Sequence, residues 1–152
     1  MVTIFGNAMI DSSMIVEKLG RKTIHQALKG KTAEKRANAV LKIGREIRSA
    51  SLSDGEMAFA AKLMERICQD VSELVRRALS VTLRTSPHLP HHIAKRLIED
   101  IDSIAIPILA ESPVIVDDDL ISVLNSRAAK KIRAIAQRQT LGLHISLSLI
   151  HI

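Results

Sequence analysis

The sequence predicts an all-α protein: short antiparallel helix pairs stacked with a repeat of about 26 residues. Three observations carry this reading. Ser86-Pro87-x-Leu89 and Ser112-Pro113-x-Ile115 are two copies of one pattern, set 26 residues apart. Each follows an apolar stretch at helical spacing, Leu74 to Leu83 and Ile101 to Leu109. No apolar/polar alternation runs beyond a few residues, so nothing reads as a strand. A fixed period of this kind marks units that each leave an apolar face for the next to cover.

Residues 1–13 carry no clear period, and 1–20 are expected to form a poorly ordered or short-helix segment. A single helical-repeat domain should follow over 21–146, with basic helices over 21–50 and repeats over 53–146. Ser13 to Leu19 and Thr23 to Leu28 are each expected as a short helix, stopped by Gly20 and Gly30. Thr32 to Ser49 is a stronger helix, with Ala37, Val40, Leu41, Ile43 and Ile47 on one face. Gly44 inside it costs about 1 kcal/mol relative to Ala, so that face must be packed.

Ser53-Asp54-Gly55-Glu56 reads as a capping box opening a helix that runs to Asp70. The next helix starts near Ser72, turns Val75, Ala78, Leu79, Thr82 and Leu83 inward, and is stopped by Ser86-Pro87. Pro90 suits the first turn of the following helix, which buries Ile93, Leu97 and Ile98. Asp102 or Ser103 should cap the helix through Glu111, with Pro107 tolerated only near its start. Asp117-Asp118-Asp119 supply a cap and negative charge for the helix to Asn125. A third, degenerate unit begins at Ala128 with a stripe of Ile132, Ile135 and Ala136.

Composition narrows the function classes. Of 152 residues 47% are hydrophobic, yet Phe5 and Phe59 are the only aromatics. The core must be aliphatic, which is a poor start for stacking bases or sugars. The net charge of +6 alternates by segment. Glu17 to Arg48 holds ten Lys and Arg against three Glu, Glu99 to Asp119 seven acids and no base, and Arg127 to Arg138 five bases and no acid. Cys68 is the only cysteine, sits at helical spacing with Ala60, Met64 and Val71, and reads as a buried, inert thiol of a reducing compartment. No signal-peptide pattern and no run of about 20 apolar residues occurs, which points to a cytoplasmic protein without a membrane partner.

Catalytic and metal chemistry finds no constellation. His88, His91 and His92 lack Cys or carboxylate at zinc spacing, and the triple Asp is better read as a helix start. Ser86 and Ser112 are turn residues with no base beside them, and no glycine follows a strand as a phosphate loop requires. The expectation is therefore no enzyme, no cofactor, no metal and no small-molecule ligand. Basic residues offer one candidate surface: Arg76, Arg77, Lys95, Arg96, Lys130, Lys131 and Arg133 read first as solvated surface, interrupted by the acidic stretch Glu99 to Asp119, and second as a strip for an acidic partner protein. Nucleic acid, held through phosphate contacts, ranks behind it.

From about Ser53 onward the chain resembles the uncharacterised bacterial DUF2336 family. The likeness lies in Leu52-Ser53-Asp54-Gly55-Glu56, Val75-Arg76-Arg77-Ala78-Leu79 and Ser86-Pro87-His88-Leu89-Pro90, continuing through Ile106-Pro107-Ile108-Leu109, Ser112-Pro113-Val114-Ile115 and Asp118-Asp119-Leu120-Ile121. Ile106 stands where the family usually has a basic residue before the proline. The resemblance implies HEAT-like helical repeats, a HEAT/armadillo-like α-solenoid, and a scaffold for protein–protein contact. It carries over no catalytic residue. Leu147-Ser148-Leu149-Ile150-His151-Ile152 is similar to the translation of a transposon adapter end, so 147–152 is expected to be a non-native tail on a fragment.

Overall fold

A computed structural model describes residues 14–138 and 141–150, and within them every regular element is a helix. After a short helix over 14–19, here α1, come α2 (Arg21–Lys29), α3 (Ala33–Ser49), α4 (Asp54–Cys68), α5 (Glu73–Leu83), α6 (His91–Ile98), α7 (Asp102–Glu111), α8 (Asp117–Asn125), α9 (Ala129–Ala136) and α10 (Leu143–Ile150). The starts of α6, α8 and α10 are 26 residues apart, the period of the Ser-Pro pattern. The reading of residues 1–13 as frayed lies outside the described residues, as do His151 and Ile152 of the tail; residues 147–150 belong to α10.

Packing follows a ladder. Neighbours pair as α2·α3, α4·α5, α6·α7 and α8·α9. Each odd helix then packs on the next odd one, α3·α5, α5·α7 and α7·α9, while α2·α4, α4·α6 and α8·α10 pack along the even row. The even row continues between α6 and α8, where His91 Nε2 lies 2.7 Å from Asp119 Oδ2. Fully or almost fully buried Ile43, Ile47, Leu79, Leu83, Ile104, Ile108 and Ile135 come from the odd row. Met64, Ile67, Ile93, Leu97 and Leu120 meet them from the even row. Each such side chain contributes about 1.5–3 kcal/mol relative to exposure.

Local signals account for the ends. Thr32 accepts from the Lys35 amide at 3.2 Å, and the Ser53–Glu56 capping box closes at 3.2 and 3.0 Å. Gly20 holds φ +85° between α1 and α2, a backbone that side chains rarely adopt. The repeated Ser-Pro corner has a shared cause: Ser86 and Ser112 are both buried, and each hydroxyl accepts the amide two residues on, from His88 at 3.1 Å and Val114 at 3.3 Å. That side-chain turn replaces helical bonds and tucks Leu89 and Ile115 into the core.

The close approach of α3 to α5 occurs at Gly44. A Cβ there would lie within 2.3 Å of Thr82 Cγ2, so the residue that weakens the isolated helix is what lets the pair interlock. Several boundaries differ from expectation. The helix opened by the capping box ends at Cys68, and Pro90 is the N-cap of α6 with its first turn beginning at His91. Ile101 is the N-cap of α7, which places Pro107 in the helix interior as its sixth residue. In α9 the buried pair is Ala134 and Ile135, while Ala136 is exposed. Leu74 and Ile101, at the starts of their apolar stretches, are also exposed.

Candidate interaction surface

A polar seam runs along the loops of the hairpins and uses part of the basic residues. Arg36 on α3 gives Nη1 to the carbonyl of Gly30 at 3.0 Å in its own hairpin loop. Its Nε and Nη2 reach the Asp70 carboxylate of the next hairpin at 2.8 and 3.2 Å. Arg76 on α5 repeats the geometry. Nη1 donates to the Asp70 carbonyl at 2.8 Å, and Nε and Nη2 to the Asp100 carboxylate at 2.8 and 3.3 Å. The loop of the α6·α7 hairpin is also held from the far side, where Lys131 on α9 donates to the carbonyls of Ile98 and Asp100 at 2.9 and 2.7 Å. Fork-shaped guanidinium–carboxylate pairs fix geometry as well as charge.

The two aspartates also accept backbone amides just ahead of the following helices. Asp70 Oδ1 accepts the Ser72 amide at 2.9 Å and Asp100 Oδ1 the Ile101 amide at 2.7 Å. Burial pushes the Asp70 carboxyl up, but the Arg36 guanidinium and the Ser72 amide hold it below its usual value. Arg138 serves the α7 terminus, donating to the carbonyls of Leu109 and Ser112 at 2.7 and 2.6 Å, and its burial lowers its pKa. This seam was legible in one signal that composition hides: the Arg lies six residues after the loop residue whose carbonyl it takes, Gly30 to Arg36 and Asp70 to Arg76.

The seven basic residues read from the sequence therefore separate. Arg76 and Lys131 are committed to the seam. Arg77, Lys130 and Arg133 are exposed on odd-row helices, whereas Lys95 and Arg96 are exposed on α6 of the even row. Between α5 and α9 stands α7, whose only charges are Asp102 and Glu111. The residues do not line up as one strip.

What the structure does bring together is a run of apolar side chains across the odd row, in which Leu41, Leu74 and Val81 stand partly exposed beside buried Ala37 and Ala78. Ala37, Leu41, Leu74, Ala78 and Val81 line a groove of about 400 Å³ between α3 and α5, with Glu34, Asn38 and Arg77 at its edges. Val81 also lines the adjoining groove, of about 590 Å³, with Ile106, Pro107 and Ala110 of α7. Its far side carries Arg84 and Glu111, paired at 2.7 Å. Sequence periodicity placed Leu41 in the core; the apolar arcs of α3 and α5 are wider than the faces they bury, and that excess width is the signal of the groove.

Of the three clustered histidines, His91 and His92 have side-chain partners, while His88 bonds through its backbone amide to Ser86 Oγ. His92 Nε2 lies 2.8 Å from Glu65 Oε1 on α4, so the adjacent His91 and His92 tie α6 to both even-row neighbours. Asp119 Oδ2 also accepts the Val116 amide at 3.1 Å, closing the N-terminus of α8 as the triple Asp suggested. Cys68 is buried, which pushes its thiol up to about 11. Among the described residues no group of three His, Cys, Asp or Glu side chains could hold a metal ion, and no helix is long and apolar enough to cross a membrane. No family model, curated protein or solved structure matches this chain.

Proposed function

We propose that the chain is a non-catalytic helical-repeat scaffold for protein–protein interaction, a HEAT/armadillo-like α-solenoid of the DUF2336 kind, working in the cytoplasm. One observation carries the reading: stacking of odd helix on odd helix buries their flanks and leaves an apolar groove open across α3, α5 and α7. An uncovered apolar track lined by several helices is the kind of surface partner proteins use. The engagement of His91, His92, Asp70 and Asp100 within the fold supports a non-catalytic role. The single buried thiol supports a reducing compartment.

Selection of a phage-displayed random-peptide library against the full chain tests this. Binders should be enriched, and Leu74→Asp and Ala110→Asp should abolish their capture while Lys95→Glu with Arg96→Glu leaves it intact. Failure to enrich any peptide, or capture indifferent to the odd-row substitutions, removes the proposal. A second reading, nucleic-acid binding, draws on the net charge of +6. It expects a gel shift at low salt that fades steeply as salt rises through counterion release.

A further inference from the structure

We infer that the groove between α3 and α5 receives an acidic, leucine-bearing segment of a partner protein. Its apolar side chains would lie on Leu41, Leu74 and Val81 and its carboxylates on Arg77 and Arg45. This rests on the scaffold reading above and adds the partner's chemistry to it.

The groove supplies the apolar half of the recognition. Leu74 is 45% exposed although it stands in the first turn of a helix in which Val75, Leu79 and Leu83 are fully buried. Leu41 and Val81 flank it, and Ala37 and Ala78 keep the floor low enough for branched side chains to enter. Scattered exposed leucines are ordinary, but here they line one depression continuous with the next groove through Val81.

Charge supplies the other half and selects the occupant. Helices α3, α5, α7 and α9 together carry ten Lys and Arg against five Asp and Glu, while the even helices α2 to α10 carry seven against six. Adding the paired loop residues Arg84, Asp70 and Asp100 to that row gives eleven bases against seven acids, so most of the net charge lies on the row that bears the groove, and α3 alone has five bases against two acids. Of those five only Arg36 is paired; Lys35, Lys42, Arg45 and Arg48 have no side-chain partner among the described residues. Arg45 shares the helix face of Asn38 and Leu41, and Arg77 stands at the groove edge, likewise unpaired. A second copy of the chain would bring the same basic row to the groove, setting like charges face to face. Acidic side chains on the partner remove that conflict and gain guanidinium–carboxylate hydrogen bonds. Glu34, at the α3 end of the groove, directs the acidic end of the segment toward Arg77 and Arg45.

The test uses the full chain and a fluorescein-labelled helical peptide with leucines at every fourth position and glutamates between them. Two companions carry glutamine or lysine in place of glutamate. The glutamate peptide should bind about tenfold or more tightly than the glutamine one, as desolvated charge pairs require. Arg77→Glu and, separately, Arg45→Glu should weaken it and favour the lysine peptide, with circular dichroism unchanged because both residues are exposed. Methyl resonances of Leu41, Leu74 and Val81 should shift on binding. Equal binding of all three peptides, absence of binding, or shifts confined to the even row would overturn the inference. Library binders that need Leu74 and are not acidic would overturn it too, while leaving the scaffold reading in place.

Discussion

Arg76 grips Asp100 through two donors, Nε at 2.8 Å and Nη2 at 3.3 Å, and its third nitrogen takes the carbonyl of Asp70 at 2.8 Å. One side chain thus ties its own hairpin loop to the loop of the next, and Arg36 does the same one step earlier. Such directional bonds add a geometric constraint between successive hairpin loops to the one that side-chain packing supplies.

Replacing Arg76 with Met should lower unfolding free energy by about 2 kcal/mol, since Asp100 and a loop carbonyl lose their donor in a half-buried site. Arg76→Lys should recover little of it, because an ammonium cannot span both carboxylate oxygens and the carbonyl. Urea melts of wild type, both variants and Asp100→Asn check this. An Arg76→Met protein as stable as wild type would mean the Arg76 seam contributes nothing to stability.

Gly44→Ala should destabilise the protein by about 1–3 kcal/mol even though Ala is the better helix former, since the new methyl collides with Thr82 Cγ2. Adding Thr82→Ser removes the nearer of the two colliding carbons and should restore part of the loss. Thermal denaturation of the two single variants and the double one reads the coupling directly.

Stability should fall in acid through two carboxylates. Asp70 is held below its usual 3.8, with burial opposing and Arg36 and the Ser72 amide prevailing. Glu56, ion-paired with Lys18 at 2.9 Å and hydrogen-bonded by the Ser53 amide, is likewise held below its usual 4.5. Groups whose folded pKa is depressed stabilise the fold above their ordinary carboxylate range and lose that contribution as pH falls through the folded value. Denaturant midpoints should therefore drop between neutral pH and pH below 3.8, and the drop should be smaller for Asp70→Asn with Glu56→Gln. An equal drop in wild type and variant would place the acid sensitivity elsewhere.

Much of the fold was present in local chemistry. The capping box at Ser53 and Glu56, the serine corners at Ser86 and Ser112 and the aliphatic stripes of α3 to α8 act over a few residues, so spacing alone announced them. Boundaries near Pro90 and Pro107 moved by a residue or more, because proline tolerance depends on which neighbour caps the turn. The cross-hairpin half of the polar seam was hidden for a different reason: Arg36 and Asp70 are 34 residues apart, Arg76 and Asp100 24, so no shared period joins them.

By itself the chain determined that it is helical, roughly where its helices lie, and that its core is aliphatic, since these follow from backbone propensity and the periodicity of burial. Only tertiary packing decided which bases are consumed at Asp100 and which, like Arg77, stand beside an open groove. Exposure and charge pairing are properties of neighbours brought together from distant parts of the chain, and a linear pattern holds no record of which helix lies across from which.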